Sequence, residues 1–240
     1  MPAKKKDSNE LVNFFELDAM KKYLIQSPFN EQTQMKLNTH SLLVGSTGSG
    51  KTHCLMNYLL KSPNFFQLII VLYKITDPLY EYMRDNMRNG TLVFYTNPSQ
   101  VPSLLDLRKE FNLEEDDQIL LIVDDYISEL GNPKYNFKDI YTYGRKVLTS
   151  LNLVQSYFET PIFIRNNIHY LILVKINDNR ELKAIIKKYT MSISDKLLLR
   201  IYEDATKKKL NFLKIDITNT DNNKKFSRNF TDFYQIEDVN

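Results

Sequence analysis

The chain carries a single cysteine, Cys54, and no apolar run long enough to cross a bilayer. The first scarcity excludes an internal disulfide framework and fits a reducing compartment. The second argues against insertion in a membrane, since a spanning helix needs roughly 20 apolar residues. The longest candidates, Leu68–Tyr73 and Ile119–Val123, have only strand length. The basic start, Met1-Pro-Ala-Lys-Lys-Lys-Asp7, has no apolar region behind it and does not read as a secretory signal. Internal repeats and long low-complexity tracts are missing as well. Nor is there a marked charge excess: 32 Lys and Arg against 29 Asp and Glu leave a formal net charge of +3, which identifies no partner. Short basic clusters occur at Lys4–Lys6, Lys187-Lys188, Lys207–Lys209 and Lys224-Lys225. Singly these suit solvated faces; together they suit contact with a phosphate backbone without sequence readout.

What is present is more specific. Gly45-Ser46-Thr47-Gly48-Ser49-Gly50-Lys51-Thr52 matches the full pattern G-x-x-x-x-G-K-[ST]. The apolar stretch Ser41–Val44 leads into it, and His53–Leu60 leaves it with helical periodicity. A strand, a glycine loop and a helix start in that order gather backbone N–H groups and a positive helix end around one anion. Glycine lets the backbone wrap a phosphate where a Cβ would clash. Lys51 is the residue to reach the β- and γ-phosphates of ATP, and Thr52 the one to bind Mg²⁺.

The 240 residues suffice for one sizeable α/β core, with no room for a second large domain. Residues 1–9 read as a disordered basic arm, and 11–25 as a helix, from apolar residues at helical spacing. A short strand is expected within Thr33–Thr39, then strands at 41–44, 68–73, 91–95 and 118–123. Helices are expected at 77–87 and 137–149, with a connecting loop marked by Asn97-Pro98 and Val101-Pro102. Further on the pattern predicts a strand at 151–155, a short helix at 161–166 and a strand at 169–175. Helices at 179–189 and 194–206 and a strand at 210–217 complete it. The last twenty or so residues are expected to lie over the domain surface. Cys54 falls in the helix after the loop and reads as a small core residue. These boundaries divide the chain into an arm and helix (1–30), an ATPase domain (31–218) and a tail (219–240). Continuous apolar runs separated by helices predict a mainly parallel central sheet flanked by helices on both faces, an α/β P-loop NTPase of the RecA/ASCE type. Such sheets bind ligands outside the carboxyl ends of their strands.

Two further constellations follow the loop. The buried-type strand Ile119–Val123 ends in Asp124-Asp125. Asp124 suits the hydration shell of Mg²⁺, a hard cation. Asp125 suits a general base for the water that attacks the γ-phosphate. Many such enzymes carry Glu at that place; aspartate is one methylene shorter, so the water must sit closer. Downstream, Gln155 ends a predicted strand and can donate to the γ-phosphate or its water. Arg145 and Arg165 are candidates for an arginine supplied from a neighbouring subunit, although either also suits a surface salt bridge.

The ordered set Gly45–Thr52, Asp124-Asp125, Gly144-Arg145, Gln155-Ser156-Tyr157 and Ile164-Arg165-Asn166-Asn167 resembles the FtsK–HerA superfamily of DNA-pumping ATPases. More narrowly it is similar to the compact genome-packaging ATPases of poxviruses, other large DNA viruses and virophages. The motifs span residues 35–175, and the segments Phe212–Asp216 and Arg228–Phe230 resemble this branch too. The resemblance implies a ring, a hexamer of this chain, that drives double-stranded DNA into a preformed capsid through its portal vertex. ATP would be bound with Mg²⁺ at subunit boundaries. Lys51, Thr52, Asp124, Asp125 and Gln155 would come from one subunit and an arginine from the next, Arg145 first by motif position and Arg165 second. It also implies action in the host cytoplasm or viral factory, with association to the virion.

Other functions remain open to a phosphate loop. A nucleoside or nucleotide kinase needs an arginine-rich lid, and residues 125–170 hold no compact cluster of that kind. A nucleotide-binding assembly factor has no need of Asp125 or Gln155. A guanine-specific switch needs an Asn-Lys-x-Asp segment, which Lys175-Ile-Asn-Asp178 does not match.

Overall fold

The computed structural model describes residue 18 and residues 27–87, 90–135, 137–144, 147–190 and 193–236. The basic arm at 1–9, nearly all of the helix at 11–25, and Arg145 lie outside these residues. A short hairpin, β1 (Phe29–Asn30) and β2 (Met35–Lys36), precedes the central strand β3 (His40–Val44). There follow α1 (Lys51–Leu60), β4 (Leu68–Tyr73), α2 (Pro78–Asn86), β5 (Thr91–Tyr95), α3 (Leu104–Glu110) and β6 (Ile119–Asp124). Next come α4 (Phe137–Tyr143), β7 (Leu148–Val154), α5 (Ile162–Arg165), β8 (Tyr170–Leu173), α6 (Asn179–Tyr189) and α7 (Asp195–Ala205). The chain closes with β9 (Leu213–Asp216), α8 (Asn222–Lys225), β10 (Phe226–Arg228) and β11 (Asp232–Phe233).

Nine strands form one sheet in the order β11-β10-β9-β8-β3-β7-β6-β4-β5. The six from β8 to β5 are parallel, and β9, β10 and β11 add to the β8 edge in antiparallel pairing. Alternate residues of each strand face opposite sides. Leu42, Val44, Leu121 and Val123 pack with buried residues of α3, α4, α6 and α7, while Leu43, Leu120 and Ile122 pack with α1 and α2. Both faces are covered, which is why these strands read as unbroken apolar runs rather than as alternating ones.

The structure departs from the sequence reading at three places. Helix α4 stops at Tyr143, before Gly144, and β7 begins at Leu148, because Leu148–Val154 pairs with both β6 and β3. Two ladders of hydrogen bonds outweigh a helical pattern that satisfies one strip of core. The strand expected within Thr33–Thr39 shrinks to two residues, since Gln34 (φ 51) and Asn38 (φ 56) take left-handed conformations on either side. The C-terminal segment does not simply overlie the domain: β10 and β11 extend the sheet.

That extension is tied down by Lys214, a residue 1% exposed in β9. Its ammonium donates to the carbonyls of Thr33 (2.9 Å), Gln34 (3.2 Å) and Phe230 (2.6 Å), using all three of its donors. One side chain thus joins the N-terminal hairpin to the strand edge. Lys214→Met leaves those carbonyls without their donor. It is expected to cost about 2 kcal/mol, read as a lower urea midpoint with an unchanged m value.

Candidate nucleotide-binding site

The site begins where the β3 ladder ends. Val44 pairs with Val154 of β7 and Leu173 of β8, and the chain then leaves the sheet with its next two amides still engaged. Gly45 N–H donates to Val154 O at 3.1 Å and Ser46 N–H to Lys175 O at 3.0 Å. A Cβ at Gly45 would lie 2.0 Å from Val174 Cγ2, so only glycine fits this exit. Gly48 (φ 72) and Gly50 (φ 98) turn the loop through left-handed backbone, and Gly50 caps α1. Lys51 opens the helix with its side chain folded back, donating to Gly45 O (2.9 Å) and Ser46 O (3.4 Å). Burial lowers the Lys51 pKa, and the carboxylates of Asp125 and Asp124 oppose that shift.

The carboxylates come from the ends of β4 and β6. Thr52 Oγ1 donates to Asp77 Oδ2 at 3.0 Å, and Asp77 Oδ1 caps α2 by accepting from Leu79 N–H at 2.8 Å. Asp124 closes β6 and accepts from the Tyr80 hydroxyl at 2.5 Å. Burial pushes the Asp124 carboxyl up to about 6; Tyr80 works against this and Asp125 with it. Asp125 follows in left-handed backbone (φ 58), which turns it out of the strand direction. Gln155, just beyond β7, spans the gap. Its Nε2 donates to Asp125 Oδ1 (3.2 Å) and Oδ2 (3.3 Å), and its Oε1 accepts from Thr47 Oγ1 at 2.9 Å. Thr47, Lys51, Thr52, Asp124, Asp125 and Gln155 line one cavity of about 400 Å³.

The residues expected to act together in one chain therefore do converge, whereas Arg165 does not join them. Its guanidinium lies over the Tyr157 ring, 5.1 Å from the centroid, away from this cavity. Four residues at the site were not assigned to it from the sequence. Asp77 and Tyr80 belong to the helix expected at 77–87, which starts with a cap, Asp77, followed by proline at the first helical position. That signal marks a helix start but says nothing of Thr52 or Asp124. Lys209, read only as part of a basic cluster, lines the same cavity, and Leu210 (φ 71) lies against Gly50.

The donor set suits Mg²⁺: a threonine hydroxyl and two aspartates, all hard oxygen ligands, stand beside a loop whose amides suit phosphate. Among the described residues no helix is long and apolar enough to cross a membrane.

A mainly parallel sheet with this loop at the end of its central strand defines the class, the P-loop NTPases. The chain belongs to the family described as Poxvirus A32 protein, which matches residues 26–231. Its fold is similar to that of B204, the DNA-packaging ATPase from Sulfolobus Turreted Icosahedral Virus. Identity is 14% and the TM-score 0.54, over 81% of this chain and 98% of that one. B204 from Sulfolobus turreted icosahedral virus 2, in complex with ATP-gammaS, is similar at 16% identity and a TM-score of 0.52, over the same shares, 81% and 98%. The cytoplasmic domain of the Thermomonospora curvata Type VII Secretion ATPase EccC is 14% identical with a TM-score of 0.53, over 81% of this chain and 25% of that one. No curated protein matches the chain in sequence.

Asp124 supplies a prediction whose sign follows from its raised pKa. A carboxyl that moves from 3.8 to about 6 on folding is favoured in its neutral form. Its stabilising contribution is full below about 3.8 and lost as pH rises through about 6. Asp124→Asn mimics the neutral acid. In nucleotide-free protein at pH 8 it is expected to raise stability by about 2 kcal/mol, with no gain near pH 4. Thermal unfolding across that range reads the difference.

Proposed function

We propose that the protein is an ATP-driven translocase that packages double-stranded DNA into a preformed viral capsid. The observation that carries the reading is the Thr47–Gln155–Asp125 bridge across the mouth of the phosphate loop, beside Lys51 and Thr52. A site built only to hold nucleotide has no need of a glutamine tied both to the loop and to an acid. Membership of the Poxvirus A32 protein family and likeness to B204, a DNA-packaging ATPase, support the packaging role. B204 complexes with ATP-gammaS and AMPPCP support ATP as the nucleotide.

In the mechanism, the loop amides between Gly45 and Thr52 cradle the phosphates, with Ser46, Thr47, Gly48 and Ser49 forming its outer turn. Lys51 exchanges its contacts with Gly45 O and Ser46 O for phosphate oxygens. Thr52 and Asp124 would hold Mg²⁺, with Asp77 orienting the threonine hydroxyl; a cation held there would supply positive charge beside the nucleotide phosphates. Asp125 accepts a proton from the attacking water, and Gln155, already its partner, orients that water and registers loss of the γ-phosphate. An arginine from the neighbouring subunit of a homo-oligomeric ring, a hexamer in this reading, completes the site. Arg145 is the first candidate by motif position, and Arg165, which stacks on Tyr157 of its own chain, the second. Surface lysines grip the DNA backbone without regard to sequence, so affinity falls with salt. The motor works at the capsid portal vertex, in the host cytoplasm or viral factory, and associates with the virion. The ATPase unit at 31–218 follows an arm and helix (1–30) and precedes a tail (219–240) whose β10 and β11 complete its sheet.

ATP turnover of the purified protein is expected to rise with duplex DNA. Lys51→Ala is expected to abolish turnover, and Asp125→Asn to lower kcat about 100-fold. Full activity in both variants would refute the site. Phosphorylation of a nucleoside monophosphate, with turnover indifferent to DNA, would make it a kinase. Nucleotide binding without turnover, with or without DNA, would make it an assembly factor. Mixed rings of Arg145→Ala and Lys51→Ala subunits are expected to recover activity where each pure variant has none; Arg165→Ala serves as the parallel arm.

A further inference from the structure

Glu181 is 5% exposed, and the reaction as described gives it no task. A buried carboxylate is costly unless its oxygens are well supplied with donors. Those donors come from one place. Glu181 Oε1 accepts from the Ser156 hydroxyl at 2.8 Å, from Tyr157 N–H at 2.6 Å and from Phe158 N–H at 3.4 Å. These three residues directly follow Gln155, at the point where the chain has left the β7 ladder.

The other end of the contact is equally fixed. Asp178 caps α6 by accepting from Arg180 N–H (2.7 Å) and Glu181 N–H (3.2 Å), which sets the first turn that carries Glu181. One residue earlier, Asn177 N–H donates to Ser46 Oγ at 2.9 Å, and Ser46 belongs to the phosphate loop. The start of α6 is therefore bonded on one side to the cradle and on the other to the segment behind Gln155. A loop without a ladder would otherwise leave Gln155 free to drift, and a drift of about 1 Å at a reacting centre can cost as much as 100-fold in rate.

We propose that Glu181 is a positioning residue for ATP hydrolysis: by fixing Ser156–Phe158 against the first turn of α6, it holds the Gln155 amide between Thr47 and Asp125. The proposal rests on the role given to Gln155 under Proposed function. It predicts that Glu181 acts through Gln155 alone, which a structural residue would not do.

The test is a cycle of Glu181→Ala, Gln155→Ala and the double variant in the full-length protein, with duplex DNA present. Read out are ATP turnover, affinity for AMPPCP and thermal midpoint. Glu181→Ala is expected to lower kcat roughly 10- to 100-fold while AMPPCP affinity stays near that of the wild type. Glu181→Gln keeps an acceptor oxygen in place and is expected to restore most of the turnover. The double variant is expected to turn over within about twofold of Gln155→Ala. Multiplied losses in the double variant overturn the positioning role while leaving the site assignment intact. So does a joint loss of AMPPCP affinity and thermal midpoint in Glu181→Ala. Unimpaired turnover in Gln155→Ala overturns the role of Gln155 itself and this inference with it. If Glu181→Ala does not fold, Ser156→Ala removes one of the three bonds from the other side. A drop in kcat that vanishes in the Gln155→Ala background then supports the proposal, and a drop that persists there, or no drop, overturns it.

Discussion

Strand β3 is hydrogen-bonded along its whole length on both edges, to β7 and to β8, and lies fully buried between two helical layers. Because neither edge can slip without breaking a ladder, Val44, Val154 and Leu173 end level with one another. The chain then passes into the glycine loop with its first two amides bonded to Val154 O and Lys175 O. Every side chain of the candidate site leaves from this one edge of the sheet. Asp77 follows β4, Asp124 ends β6, Gln155 follows β7, and the start of α6 follows β8. The parallel register is thus what turns residues far apart in sequence into a single cleft.

The cleft carries charge at a cost. Asp124 and Lys51 are both buried enough for their charged forms to be disfavoured, and each is partly sustained by the other. These groups hydrogen-bond to the protein itself: Lys51 to loop carbonyls, Asp124 to Tyr80, Thr52 to Asp77, Gln155 to Thr47 and Asp125. Such bonds hold the groups in place without irreversibly committing them, since a phosphate or a hard cation offers each of them a stronger partner. The arrangement trades stability for readiness to bind.

A second consequence concerns how the two ends of the chain are used. The N-terminal hairpin and the C-terminal strands meet at Lys214, on the side of the sheet beyond β8. The acids lie on the opposite side of β3. The loop at Lys207–Asn211, which enters β9, lies beside the phosphate loop, and Leu210 touches Gly50. The loop that leads into the antiparallel extension therefore forms one wall of the nucleotide cleft.

The phosphate loop, the acid pair and the strand lengths were legible because each depends on residues adjacent in sequence. Glycines at 48 and 50 answer local backbone demands, and five apolar residues before Asp124 announce a strand covered on both faces. Asp77, Tyr80, Lys209 and Glu181 were not legible, since each acts on a partner brought near by the sheet order, and no local pattern encodes that order. The end of α4 and the start of β7 were misjudged for the same reason: pairing with β6 and β3 decides them. The sequence by itself determined that a phosphate cradle and a pair of carboxylates exist, through short-range rules of sterics and periodicity. Only the tertiary structure decided that Gln155 bridges them and that Arg165 stands apart, because both depend on long-range strand pairing and packing.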